Sequence, residues 1–345
     1  MARRLLWAGL ALAPLTIVLD LAVHPSKTAM FVLAAIALIP LAWMIGEATE
    51  QAGEHTGPRI AGLLNASFGN APELIIALIA VSDTLPNVVR GSLVGSVVSN
   101  LLLVFGAALL LGDEGRLERR SLIVQTGLVA IAVVVLLLAT IPGWHGNPER
   151  HSLADLSIGP AIFLLVIYLV ITVIGVRRGE RPEAPPEAAW SMRTSLIALG
   201  IATVATAWIS EILVHSLEAF ARAVGLSEFF IAIVIVAIVG NAAEHGGAIV
   251  IAYRANLNLA AQIAISSGAQ VGLLVLPVVT LLSFAFAHPL TLAFRPVELA
   301  AMAISTVLVA VVLWDGRGRR WEGVLLVASY VGLAVAFYFS GDRGR

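Results

Sequence analysis

GNAPELIIALIA, residues 69–80, and GNAAEHGGAIVI, residues 240–251, decide how this chain is read. Each sets a glutamate, Glu73 or Glu244, inside an apolar run long enough to cross a bilayer. An acidic side chain at that depth costs about 2.5–3.5 kcal/mol on insertion scales, so it turns to a polar interior and finds a partner there. The same costly arrangement made twice points to one purpose served by two copies.

The surrounding sequence supplies the membrane. Of 345 residues, 59% are hydrophobic and only 12% charged, with a mean hydropathy of +0.95, far from the composition of a soluble domain. Apolar stretches of about 20 residues recur between short polar breaks. Eleven are expected, over 5–23, 29–46, 59–82, 92–111, 122–142, 158–176, 194–215, 227–253, 258–287, 296–314 and 322–340. The fold class is therefore an all-α polytopic membrane protein whose partner is the lipid bilayer. The chain has no cysteine, which excludes disulfides, thiolate metal sites and thiol nucleophiles. A net charge of −1 with no basic cluster among aromatics gives nucleic acid nothing to bind. Oligomeric state is not legible.

Basic residues orient the chain, because short cytoplasmic loops are enriched in Lys and Arg. With the N-terminus inside, fourteen of the 21 basic residues fall on the cytoplasmic side and seven outside; eleven spans then put the C-terminus outside. The expected location, if the chain is prokaryotic, is the cell (inner) membrane.

Aligning Gly69 with Gly240 fixes an offset of 171 residues, and the match runs without a gap from Glu47/Glu218 to Val104/Val275. Sixteen of the 58 pairs are identical, among them Asn70/Asn241, Glu73/Glu244, Asn87/Asn258 and Ser96/Ser267. Five crossings separate equivalent points, and an odd number reverses direction, so the copies are inverted. Inverted repeats with polar residues at the midplane are the build of many secondary transporters. The expected division is a leading helix over 1–28, a first five-helix repeat over 29–176, a cytoplasmic linker over 177–193 and a second five-helix repeat over 194–345.

The chemistry follows from oxygen. Gly69, Gly240 and Pro72 favour broken helices, and a break at membrane depth exposes carbonyl oxygens where they line a cavity. Asn70 and Asn241 stand three residues before each glutamate, on the same helical face one turn earlier. The next span of each copy adds Ser96 and Ser99, matched by Ser267 and Gln270. Two carboxylates with amide, carbonyl and water oxygens suit a hard divalent cation such as calcium. His245, beside Glu244, is a candidate proton relay, and its counterpart is Leu74.

The stretches GEATEQAGEHTGPRIAGLLNASFGNAPELI from Gly46, SLVGSVVSNLLLVFGA from Ser92, SEILVHSLEAF from Ser210 and GNAAEH from Gly240 resemble the calcium/proton exchanger family, a branch of the cation/calcium exchanger superfamily. The resemblance implies eleven membrane helices whose inverted halves hold one cation site, with Glu73 and Glu244 as its principal acidic groups. Asn70, Asn241, Ser99 and Gln270 match polar positions of the family's motifs. Glu47, Glu50, Glu211 and Glu218 match acidic positions of flanking helices, an access path or structural hydrogen bonds. One departure is Ser266-Ser267-Gly268, where the family shows Gly-Ser-Ser.

The expected function is a secondary antiporter that exchanges calcium for protons by alternating access, with calcium and protons as transported ions and no cofactor. Asn-Ala beside each glutamate, in place of the further acidic or Thr-Ser ligands of sodium-coupled relatives, favours protons as the coupling ion. A proton-coupled sodium, potassium or manganese antiporter is the alternative, and a cation channel a more distant one. An enzyme is not expected, since neither an HExxH spacing nor a Ser/His constellation occurs; nor is there a P-loop for an ATP-driven pump.

Overall fold

A computed structural model describes residues 2–56, 60–61, 64, 67–145, 147–178, 190–254 and 256–342. Its helices, in chain order, are α1 (Arg3–Val23), α2 (Lys27–Glu54), α3 (Ala71–Ser82), α4 (Pro86–Leu111), α5 (Arg119–Thr140), α6 (His151–Arg178), α7 (Met192–Val224), α8 (Glu228–Gly240), α9 (Ala242–Tyr253), α10 (Leu257–Ala285), α11 (Pro296–Val312) and α12 (Arg320–Ser340). Among the described residues eight helices are long and apolar enough to cross a membrane, or nine if α8 and α9, bent by 60° at Asn241, form one span. The eleven expected spans are not all matched by a helix of full length. Of the expected 59–82, α3 covers the second half, and several residues before it lie outside the description; α11 has 17 residues. The linker acids Glu180, Glu183 and Glu187 also lie outside the described residues.

Local chemistry sets the helix ends. Ser26 and Ser191 cap α2 and α7 by accepting from the N–H groups of Ala29 and Thr194. Gly225 closes α7 at φ 70, a left-handed backbone that a side chain resists. The long helices α2 and α7 pack along each other, with Phe31 stacked on Phe220 at 4.2 Å.

Contacts at the helix ends establish the inversion. The offset of 171 carries Ala71–Ser82 onto Ala242–Tyr253 at both ends, and Pro86 onto Leu257, where α10 begins. The same shift lays the π-helical turn at 99–104 of α4 over that at 271–275 of α10. These counterparts run in opposite directions. Asn258, at the start of α10, accepts from Glu118 N and donates to Arg116 O, just past the end of α4. Lys27, at the start of α2, donates to His215 O late in α7, while Gln51 and His55 at the end of α2 meet Trp190 just before α7.

The bundle therefore has two distinct ends. One gathers Arg3, Glu47 and Trp190. The same end, reached again through α7 and the bent pair α8–α9, holds the start of α10 and the loops tied together by the short antiparallel pairing of β1 (Gly115–Arg116) with β2 (Arg317–Gly318). The C-terminal Asp342 accepts from Phe229 N at the start of α8, and Arg90 holds Glu149 and Thr291. Burial separates centre from rim: 83% of the most apolar window of α4 is buried and 61% of that of α10, against 11% for α1 and α6. The most enclosed helices are thus those following the glutamate motifs.

Candidate functional site

Both motif glutamates stand in the first turn of a helix that begins at mid-span. Asn70 and Asn241 are the residues before α3 and α9, with near-identical backbones of φ −98, ψ 18 and φ −92, ψ 9. This refines the expectation that each asparagine lies one turn earlier on a continuous helix: each sits at the break itself. Carboxylates at a helix N-terminus face the positive end of its dipole, the geometry that half-helices give to anionic groups in many transporters. Gly240 does not adopt a left-handed backbone at the break. A Cβ there would meet Glu73 Cγ at 3.6 Å and Oε1 at 3.8 Å, ordinary contact distances that show how near the Glu73 side chain lies. Glu73 of the first copy thus lies against the broken span of the second, within electrostatic range of Glu244.

A polar network crosses from one copy to the other. Asn70 Nδ2 donates to Gln270 Oε1 at 2.7 Å, and Asn241 Nδ2 to Ser96 Oγ at 2.7 Å. Asn100 Nδ2 reaches both Asn241 Oδ1 at 3.2 Å and Ser267 Oγ at 3.0 Å. Ser267 also sits beside the Glu244 carboxylate. Ser99 and Gln270 are repeat counterparts with unequal reach. The longer glutamine spans to Asn70, while the Ser99 hydroxyl donates within its own helix to Ser96 O.

Four buried oxygens of this cluster have no hydrogen-bond partner: Glu73 Oε2, Glu244 Oε2, Asn70 Oδ1 and Asn100 Oδ1. Leaving one such atom unsatisfied away from water costs about 1–3 kcal/mol. Four together, two carboxylates and two amide carbonyls, form an acceptor set open to a cation, to protons or to water. No group of three or more His, Cys, Asp or Glu suited to a metal occurs among the described residues; the donor set is mixed amide and carboxylate oxygen.

The other expected residues are placed elsewhere or on the margin. His245 is buried with Nε2 unpartnered and shares no hydrogen bond with the network. Glu47 pairs with Arg3 at 2.6 Å, and Glu50 is exposed near the same end of α2. Glu218 pairs with Arg222 at 3.1 Å, and Glu211 lines a cavity with Asp20, Lys27 and His215, both toward the other end. The repeat pair Glu47/Glu218 thus stands at opposite ends of the bundle, outside the cluster. Asn100 is the residue that sequence reasoning missed as a participant: its counterpart is Val271, so no repeat comparison singles it out, although its place in the quoted GSVVSN run was visible. Thr206 and Ser210 on α7 were also missed; both are fully buried with unpartnered hydroxyls, and only an asparagine-like cost for polar atoms in an apolar helix signals them.

Comparison with known proteins agrees with this architecture. The family described as sodium/calcium exchanger protein matches residues 26–176 and 194–339. The Ca(2+)/H(+) antiporter ChaA of Bacillus subtilis (strain 168) is 37% identical over 339 residues, covering 94% of this chain and 96% of that protein. A Ca(2+)/H(+) antiporter of Aphanothece halophytica is 34% identical over 344 residues, covering 92% and 91%. Among solved structures, native YfkE is 34% identical with a TM-score of 0.84, over 97% of this chain and 99% of that one. The H+/Ca2+ exchanger CAX shares the fold at 16% identity, with a TM-score of 0.73 over 98% and 92%. Antiparallel copies with a glutamate at each helix break, and likeness over nearly the whole length, make this chain a member of the sodium/calcium exchanger protein family, on its calcium/proton exchanger branch.

Proposed function

We propose that the protein is a secondary antiporter that exchanges calcium for protons across a membrane by alternating access. The observation that carries the reading is the set of four unpartnered oxygens of Glu73, Glu244, Asn70 and Asn100, contributed by both copies at the centre of the bundle. Calcium takes six to eight oxygens at about 2.3–2.6 Å and tolerates irregular geometry, which suits carboxylates and amides supplied by separate helices. Ser96, Ser99, Ser267, Asn241 and Gln270 orient that set or complete it, with water filling the remainder. Similarity to proteins named Ca(2+)/H(+) antiporters supports the choice of ions.

Coupling arises because the two carboxylates cannot both stay charged and empty in a low-dielectric cavity. Either protons or one divalent cation neutralise them, so loading one expels the other. His245, next to Glu244 in the chain and with its Nε2 unpartnered, is the next candidate to take a displaced proton. Each copy of the repeat rocks against the other around this fixed site. The division into a leading helix over 1–28, repeats over 29–176 and 194–345 and a linker over 177–193 is part of the proposal. So is an orientation with the N-terminus cytoplasmic and the C-terminus outside, in the cell membrane if the chain is prokaryotic. The test is flux in proteoliposomes carrying a pH gradient, with calcium, sodium, potassium and manganese offered in turn. Calcium uptake with stoichiometric proton counterflow supports the reading, whereas exchange of a monovalent ion alone, or single-channel currents, contradicts it.

A further inference from the structure

A cavity of about 230 Å³ lies among α5, α6 and α10, beside the site but outside the network described above. Its lining includes Gln125, Tyr168, Thr172, Ser266 and Gln270. Gln125 Oε1 is buried with no hydrogen-bond partner, beside the buried Thr126, whose hydroxyl donates to Leu122 O. At about 30 Å³ per molecule the cavity has room for several waters, and its lining gives them the polar partners that an apolar void lacks. At 1.5 Å per residue, Gln125 lies about 9 Å inside the start of α5 and Gln270 about 20 Å inside the start of α10. Those two starts share one end of the bundle, joined by the Glu118–Asn258 bond. The cavity therefore begins about 9 Å inside that end and reaches Gln270, whose Oε1 holds Asn70 of the site.

The repeat shows that this opening exists on one side only. Ser266 and Gln270 correspond to Gly95 and Ser99 at the offset of 171. Gly95 is pressed so closely on α8 that a Cβ there would collide with the Ile233 carbonyl, and Ser99 is fully buried with its hydroxyl bonded to Ser96 O. Ser266, the position where this chain departs from the Gly-Ser-Ser pattern, faces the cavity instead. The lining also contains no carboxylate. No negative charge along this lining offsets the two charges of a calcium ion, as the carboxylates of the site do, while a chain of waters needs only neutral donors and acceptors.

We propose that this cavity is the exchanger's proton route: a water-filled side path by which protons pass between the β1–β2 end of the bundle and the Glu73/Glu244 site, separate from the approach used by the cation. The two ions still compete for one site; only their approaches differ. A carboxylic acid of the site gives its proton to the water next to Gln270, forming hydronium, and the charge moves outward along the waters held by Ser266, Thr172, Tyr168 and Gln125. This rests on the calcium/proton reading above.

Because the chain has no cysteine, Leu128→Cys, in the cavity lining, gives a unique probe. A membrane-impermeant maleimide is expected to modify it from the β1–β2 side alone and to slow exchange. Gln125→Leu, which keeps volume but removes the amide, is expected to lower the rate of calcium/proton exchange severalfold while calcium affinity at equilibrium stays unchanged. A cysteine unmodified from both sides, or Gln125→Leu exchanging at the unsubstituted rate, would overturn the route and leave the cavity to a lipid chain. Loss of calcium affinity in Gln125→Leu would overturn it as well, by placing Gln125 in the cation site. Failure of the unsubstituted protein to exchange calcium for protons would instead sink the underlying function.

Discussion

Asn70 and Asn100 each use their amide nitrogen across the repeat interface and leave the oxygen without a partner, whereas Asn241 uses both. The three should therefore respond differently to truncation. Asn70→Ala and Asn100→Ala are expected to weaken calcium binding by about tenfold, or ~1.4 kcal/mol, with a modest loss of thermal stability for Asn70 and a larger one for Asn100, whose amide holds both Asn241 and Ser267. Asn241→Ala should weaken binding too, but with a larger fall in melting temperature, because Ser96 and Asn100 then lose a buried partner at about 1–3 kcal/mol. Calorimetric binding set beside thermal melting separates the two effects, and unchanged affinity in all three variants would remove the amides from the site. Glu73, Glu244, Asn70 and Asn241 were legible in the sequence because an acid or amide in an apolar run is costly and here recurs at a fixed offset. Asn100 was not, since burial of a lone polar residue leaves no trace in a repeat whose other copy carries Val271. Side-chain reach was equally hidden: nothing in the letters says that Gln270 meets Asn70 while Ser99 turns back on its own helix.

Helix α4 crosses α8 at Gly95 with no space for a side chain, so this position fixes how closely the two copies approach at the level of the site. Gly95→Ala is expected to lower stability by about 1–3 kcal/mol through forced separation of the helices, read as a fall in melting temperature and accompanied by lost exchange. A variant as stable and as active as the unsubstituted protein would show that the crossing is not constrained. Near the start of the same helix, Arg90 is the largest fully buried side chain. It ties α4 to Glu149 at 2.6 Å and to the Thr291 carbonyl at 3.2 Å in the other copy. Arg90→Met should cost about 3 kcal/mol, at the lower end for breaking a buried pair because Glu149 is 36% exposed. A melting temperature unchanged by the substitution would contradict that role. The course of most helices was readable from hydropathy and their reversal from the odd number of crossings, while eleven full-length spans are not matched among the described residues. Arg90 was readable only as one more outside basic residue, because its partners come from loops that hydropathy leaves unplaced.

At the scale of the molecule, two claims remain to be measured, one about orientation and one about coupling. Single cysteines in the 113–118 loop and at the C-terminus should react with an impermeant reagent from opposite sides, the first from the cytoplasm, because the β1–β2 loops and Asp342 lie at opposite ends of the bundle. Reaction of both from one side would contradict the inverted arrangement. The inverted repeat was legible from parity alone, while the one-sided cavity beside Gln270 was not, since it depends on which copy is splayed from its neighbours. The central claim is that calcium and protons neutralise the same pair of carboxylates. Its most direct test is proton release on adding calcium to the purified protein in weakly buffered solution, repeated with Glu73→Gln and Glu244→Gln. Binding should release protons and weaken as pH falls, because protonation removes the charge that calcium needs, and each glutamine variant should lose both release and exchange. Calcium bound without proton release, or exchange at the normal rate in either glutamine variant, would contradict the account and place coupling elsewhere.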